Sequence, residues 1–169
     1  MADQVTVYLG LGSNVGDRED NLRVALNFIK ERFRIEAKSS VYDTAPQGNT
    51  DQPRFLNQVC AVKTFLGHNE LLLVCQSIEG KLGRVPLSHN NPRIMDIDIL
   101  LYGDKVINEP KLTVPHAEMT KRAFVLMPLA EIAPDVVHPV AKKTITQLLA
   151  ELKDDQGVVK MGEPPKTKP

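Results

Sequence analysis

The 169-residue sequence predicts an α+β domain, an α/β/α sandwich with a largely antiparallel sheet. Apolar residues alternate in some segments with the period of a strand, and in others they recur every three or four residues, as on a helix. The order of these segments along the chain is βαββαβ, which favours helices packed on an antiparallel sheet over a parallel doubly wound one.

Val5, Val7, Leu9 and Leu11 alternate with more polar neighbours and define a strand over 4–11. Gly12-Ser13-Asn14 ends it, and Asp17 can cap a helix whose stripe is Leu22, Ala25, Leu26, Ile29 and Phe33. A second strand is predicted over 35–43, then a loop, "TAPQGNTDQP", rich in turn-forming residues. Strand character returns over 54–64. Asn69 can cap a second helix carrying Leu71, Leu72, Cys75, Ile78 and Leu82, ended by Gly83. After the irregular "RVPLSHNN" a strand opens at Arg93, and Gly103-Asp104 turns into a predicted hairpin over 105–108. "LTVPH" reads as irregular, and Ile145, Leu148, Leu149 and Leu152 form one face of a last helix over 144–152. A ferredoxin-like core with extra elements accounts best for this order. Residues 1–153 are read as one domain, and the polar, Pro-bearing 154–169 as a flexible tail.

Lys plus Arg and Asp plus Glu number 21 each, so overall charge argues against a nucleic-acid coat or a polybasic membrane anchor. The N-terminal run has no Lys or Arg ahead of it, unlike a secretory signal, and no stretch approaches the ~20 apolar residues of a membrane span. A cytoplasmic location is the expectation. Cys60 and Cys75 sit in apolar segments without CxxC spacing and read as reduced core residues. His68, His89 and His138 lack metal-ligand spacing and read as loop or surface residues.

The chemistry concentrates in "NPRIMDIDILLYG", Asn91 to Gly103. Asp96 and Asp98 are two residues apart on a strand and so share a face, where like charges repel unless a cation joins them. Taken alone, the pair reads most simply as the polar face of a half-solvated antiparallel strand; against that, Ile94, Leu100 and Tyr102 have the same parity, so the face is not generally polar. Two carboxylates suit Mg²⁺, which takes few protein ligands and completes its octahedron with phosphates and water. Arg84, Arg93, Lys111, His116, Lys121 and Arg122 bring phosphate-seeking charge to the same part of the chain. "GLGSN" supplies G-x-G, but the sixth position is Val15 and Gly16 comes one place late, so it does not complete a dinucleotide fingerprint. There is no P-loop motif.

Seven stretches, "YLGLGSN", "SSVYDTAPQG", "DQPRFLNQV", "IEGKLGR", "NNPRIMDIDILLYG", "LTVPH" and "RAFVLMPLAEIAPDVVHP", follow one another from residue 8 to about 139. Together they resemble the 6-hydroxymethyl-7,8-dihydropterin pyrophosphokinase family of folate biosynthesis. The resemblance implies transfer of pyrophosphate from ATP to the pterin alcohol, giving AMP, with two Mg²⁺ ions arriving with ATP. It implies Asp96 and Asp98 as the metal ligands, and Arg84 and Arg93 as phosphate-contacting catalytic residues. Gln76, Glu79, Ile99, Lys111, Leu112, Thr113, His116 and Arg122 would contact ATP. Thr44, Ala45, Gln47, Phe55, Asn57 and Phe124 would hold the pterin, whose flat bicycle suits aromatic stacking and whose edge suits an amide. A monomer is expected, with docking to other folate enzymes possible.

The loop between Arg84 and Arg93 is one residue shorter than the bacterial pattern and lacks its Lys and Trp. Ala117 stands where an aromatic is common, and "TAPQG" replaces Thr-Pro-Pro. These departures motivate an alternative, a non-catalytic domain that binds nucleotide or pterin without turnover. It differs from the enzyme in predicting ATP binding with no AMP formed. A dinucleotide oxidoreductase, resting on "GLGSN" alone, predicts tight NAD(P) binding.

Overall fold

A computed structural model describes residues 3–44, 54–83 and 94–161. Strand β1 (Val5–Ser13) is followed by helix α1 (Arg18–Arg32), whose N-cap Asp17 accepts the N–H of Asp20 at 3.1 Å. Glu19 and Asp20 in its first turn and Lys30 and Arg32 in its last complement the helix dipole. The predicted strand over 35–43 is two strands, β2 (Arg34–Lys38) and β3 (Tyr42–Thr44). Ser39 and Ser40 separate them by hydrogen bonding through their side chains. Ser39 Oγ accepts the N–H of Val59 at 2.9 Å, and Ser40 donates through N and Oγ to the Glu131 carboxylate at 2.9 and 2.7 Å.

Strand β4 (Phe55–Thr64) leads to α2 (His68–Lys81), which starts at Gly67 rather than at the expected cap Asn69. Strand β5 (Asp96–Tyr102) follows, then β6 (Ile107–Glu109) and β7 (Leu112–Val114). The predicted hairpin forms between β6 and β7, not against β5, so "LTVPH" supplies a strand. The Lys105 N–H returns to Tyr102 O at 3.1 Å, a turn that carries the chain off β5. Helices α3 (Ala123–Ile132) and α4 (Ile145–Glu151) complete the second helical layer. Thr144 and Gln147 cap α4 reciprocally, as their spacing requires. Strand β8 (Val159–Lys160) pairs with β3, Val158 is buried, and the Met161 N–H bonds Val41 O. Residues 154–161 are therefore tied to the domain rather than loose, because the chain finds an open strand edge to pair with.

Among the described residues all pairings are antiparallel, in the order β5-β1-β4-β3-β8, with β2 also on β4. The core order is thus fourth, first, third, second, the ferredoxin-like arrangement expected from βαββαβ. On one sheet face Leu9, Leu11, Cys60 and Ile99 pack with Leu22, Ala25 and Ile29 of α1 and Leu71, Cys75 and Ile78 of α2. On the other, Val59, Leu100 and Leu101 pack with Leu126 and Leu129 of α3 and Ile145 and Leu148 of α4. Cys60 and Cys75 are free, and burial pushes each thiol up to about 12. No helix of the described residues is long and apolar enough to cross a membrane.

Candidate active site

Alternation along β5 sorts its side chains between the two layers. Ile97 and Ile99 enter the core with α1 and α2, so Asp96 and Asp98 face the α3/α4 side. Asp96 is half-buried and Asp98 exposed, just beyond the apolar cover of those helices. A register shift between Tyr8 and Leu9 then turns both Leu100 and Leu101 toward α3 and α4, and Tyr102 returns to the opposite core. The shared parity expected of Leu100 and Tyr102 with the aspartates therefore holds for Leu100 only.

Gly10 and Gly12 of β1 sit directly opposite Asp98 and Asp96. Gly10 lies in the strand as expected, and Gly12 belongs to it as well rather than to the break after it. A Cβ on Gly12 would lie 3.0 Å from Asn57 Oδ1 and 3.7 Å from the Phe55 ring, so glycine there lets the Asn57 side chain lie over β1. Asn57 is buried and donates through Nδ2 to Thr44 Oγ1 at 2.9 Å. Its amide is thereby oriented, with Oδ1 toward β1. One sheet face thus carries Thr44, Phe55, Asn57, two glycines and two aspartates in a row across four strands.

Three further elements converge on this region. Helix α2 sends Glu79, only 4 % exposed, to the edge strand, where Oε2 accepts the Ile97 N–H at 2.8 Å. Ile97 lies between the aspartates, so this bond holds the backbone that carries both. An edge strand otherwise leaves such N–H groups unpaired. Ile99 has the same outward backbone direction by alternation. The β6–β7 hairpin puts Lys111 and Thr113 in solvent and buries Leu112. The His116 N–H then bonds Leu100 O at 3.0 Å, which seats His116 beside β5. Its Nδ1 accepts the Glu118 N–H at 3.3 Å, which leaves the ring proton on Nε2. At the start of α3, Arg122 lies over the Phe124 ring, 5.5 Å from its centroid.

Gln76 is exposed on α2, in the layer on the other sheet face. Glu79, expected at the nucleotide, is committed at one oxygen to the Ile97 backbone. Ala45, Gln47, Arg84, Arg93 and His89 lie outside the described residues. His138, read as a loop or surface residue, is buried, and its Nδ1 accepts the N–H groups of Val140 and Ala141 at 3.2 and 2.9 Å. The sequence alone predicts no role for Gly12 in the site; its place in "GLGSN" is explained by its pairing with Asn57.

Among the described residues, no group of three or more His, Cys, Asp or Glu side chains could cage a metal. Two carboxylates beside glycines fit Mg²⁺ that brings its remaining oxygen ligands as phosphate and water.

Residues 8–134 match the 7,8-dihydro-6-hydroxymethylpterin-pyrophosphokinase (HPPK) family. The 2-amino-4-hydroxy-6-hydroxymethyldihydropteridine pyrophosphokinase of Methylorubrum extorquens is 44% identical over 89% of this chain and 95% of its own length. The enzyme of that name from Aquifex aeolicus is 44% identical over 86% and 91%. The folic acid synthesis protein fol1 of Schizosaccharomyces pombe is 40% identical over 89% of this chain, which spans only 21% of that longer protein. In fold, the chain resembles the wild-type Plasmodium falciparum HPPK-DHPS crystal structure, with a TM-score of 0.72 at 18% identity over 89% of this chain and 45% of that one. With the family match running through both aspartates and the bacterial relatives covered almost end to end, the chain belongs to the HPPK family.

Proposed function

We propose that this protein transfers the pyrophosphoryl group of ATP to 6-hydroxymethyl-7,8-dihydropterin, a step of folate biosynthesis. The hydroxymethyl oxygen attacks the β-phosphorus and loses its proton. The bond from that phosphorus to the α,β-bridging oxygen breaks, and AMP leaves. The observation that carries this reading is the placement of Asp96 and Asp98 on the same sheet face as Thr44, Phe55 and Asn57. An acid pair suited to Mg²⁺ and a polar-aromatic cradle are thereby neighbours, as a transfer between two bound substrates requires.

Asp96 and Asp98 would hold two Mg²⁺ ions that arrive with ATP, whose chemistry is to neutralise charge on the triphosphate. Asn57 offers its amide to the pterin edge, and Phe55 and Phe124 offer ring faces. His116, with its proton on Nε2, and Arg122 supply hydrogen bonds to phosphate oxygens, as Arg84 and Arg93 would from the 84–93 segment. Lys111, Thr113 and Gln76 complete the ATP contacts, with the backbones of Ile99 and Leu112 toward the base. Glu79 serves the same site by holding Ile97. Rate enhancement then comes mainly from positioning and electrostatic stabilisation. A cytoplasmic monomer, able to dock with other folate enzymes, fits the buried reduced thiols and the balanced charge.

Chromatography of nucleotides after incubation with ATP, Mg²⁺ and the pterin tests the proposal. AMP formed only when the pterin is present is the expected result. ADP in place of AMP, or ATP left intact by folded protein, would overturn it; in the second case the binding-only alternative takes over.

A further inference from the structure

The segment after α4 carries a feature that the pyrophosphokinase reaction does not itself require, and it lies outside the matched residues 8–134. Asp155 to Val158 form a tight turn, closed by the Val158 N–H on Asp155 O at 3.0 Å. Its two central residues, Gln156 and Gly157, have φ of 54° and 74°. Both lie in the left-handed region that such turns reserve for Gly, Asn and Asp, and a glutamine there is strained. Observed strain of this kind persists where surrounding contacts over-determine it.

The contacts are specific. Asp154 Oδ1 accepts the Gln156 N–H, and Asp155 Oδ1 the Gly157 N–H, each at 2.9 Å. Val158 anchors the turn in a buried cluster with Tyr42 and Ala123. The Gln156 side chain then reaches the start of α3, where its Oε1 accepts the Ala123 N–H at 3.0 Å and its Nε2 donates to Lys121 O at 2.8 Å. Those two groups flank Arg122. The N-cap side chain of α3 makes no capping bond of its own, so Gln156 does that work from outside the helix.

We infer that Gln156 is a positioning residue for Arg122. Its amide grips the peptide groups on either side and sets where the guanidinium, lying over Phe124, meets the triphosphate. The inference rests on the phosphate role proposed for Arg122. A cap that only stabilised α3 would need no strained glutamine and would not influence ATP in particular.

The test is a double-mutant cycle on kcat/KM for ATP, using the full chain. Gln156→Gly suits the turn and removes the grip; Gln156→Asn also tolerates the turn, but its shorter amide cannot span both groups. Both variants are checked for folding by their urea midpoints. Each is expected to lower kcat/KM for ATP about tenfold with KM for the pterin unchanged. In an Arg122→Ala background, Gln156→Gly should cost nothing further. If Arg122→Ala is impaired while both Gln156 variants keep wild-type kinetics, or if the losses are additive, the inference is wrong and the Arg122 role stands. If Arg122→Ala itself has wild-type kinetics, the phosphate role fails and the inference falls with it.

Discussion

The two sides of β5 are one strand put to two uses. Toward α1 and α2, Ile97 and Ile99 are buried in a continuous apolar layer. Toward α3 and α4, Asp96 and Asp98 stand beyond the end of the apolar cover, opposite two glycines. The strand's alternation keeps the aspartates apart from that layer, while farther along their own side Leu100 and Leu101 pack under α3 and α4. Glu79 is the exception. Its carboxylate comes from the stabilising layer and grips the backbone between the aspartates, coupling the two sides.

The sharpest way to break this comparison is to remove charge from the open side. Asp96→Ala or Asp98→Ala should lower turnover on the order of a thousandfold while the urea midpoint stays near wild type. Wild-type AMP formation by either variant would sink the metal assignment. On the covered side, Leu9→Ala should do the reverse. It is expected to cost about 2–5 kcal/mol of stability, read by urea unfolding, and to leave kcat per folded molecule unchanged. A large loss of kcat in that variant would show that the two sides are not separable.

Glu79→Ala probes the exception. Leaving the Ile97 N–H unsatisfied should cost about 1–3 kcal/mol, and the concentration of Mg²⁺ giving half-maximal rate should rise with it. A stability loss with an unmoved Mg²⁺ requirement would make Glu79 purely structural. The smallest effect belongs to His138, far from the aspartates in sequence. Burial holds its pKa below the ordinary value, and two N–H groups occupy Nδ1. The unfolded chain therefore binds a proton more readily, near pH 6.5. His138 favours the native state fully above that pH and progressively less as pH falls below it. Urea midpoints between pH 7.5 and about 5 should decline more for wild type than for His138→Gln; identical slopes would remove His138 from the account.

Much of this is legible in the amino-acid sequence alone. Period-two and period-three-to-four patterning located β1, α1, β4, α2 and α4, because one-sided burial repeats with the geometry of each element. The Asp96–Asp98 pair was legible for the same reason, since i and i+2 on a strand share a face. The break between β2 and β3 was not legible, because it depends on Glu131, 91 residues from Ser40, accepting its bonds. Nor was the switch of Tyr102 to the other core, since a bulge depends on two strands and neither sequence shows it alone.

By itself, then, the sequence determined the βαββαβ order of the core, the faces of its regular elements and the acid pair, all consequences of local spacing. Only the tertiary structure decided that Gly12 makes room for Asn57, that Glu79 holds Ile97, and that Gln156 closes on the start of α3. Each of these joins residues distant along the chain through a contact a few ångströms long. Local periodicity carries no information about such contacts; packing and hydrogen-bond satisfaction do.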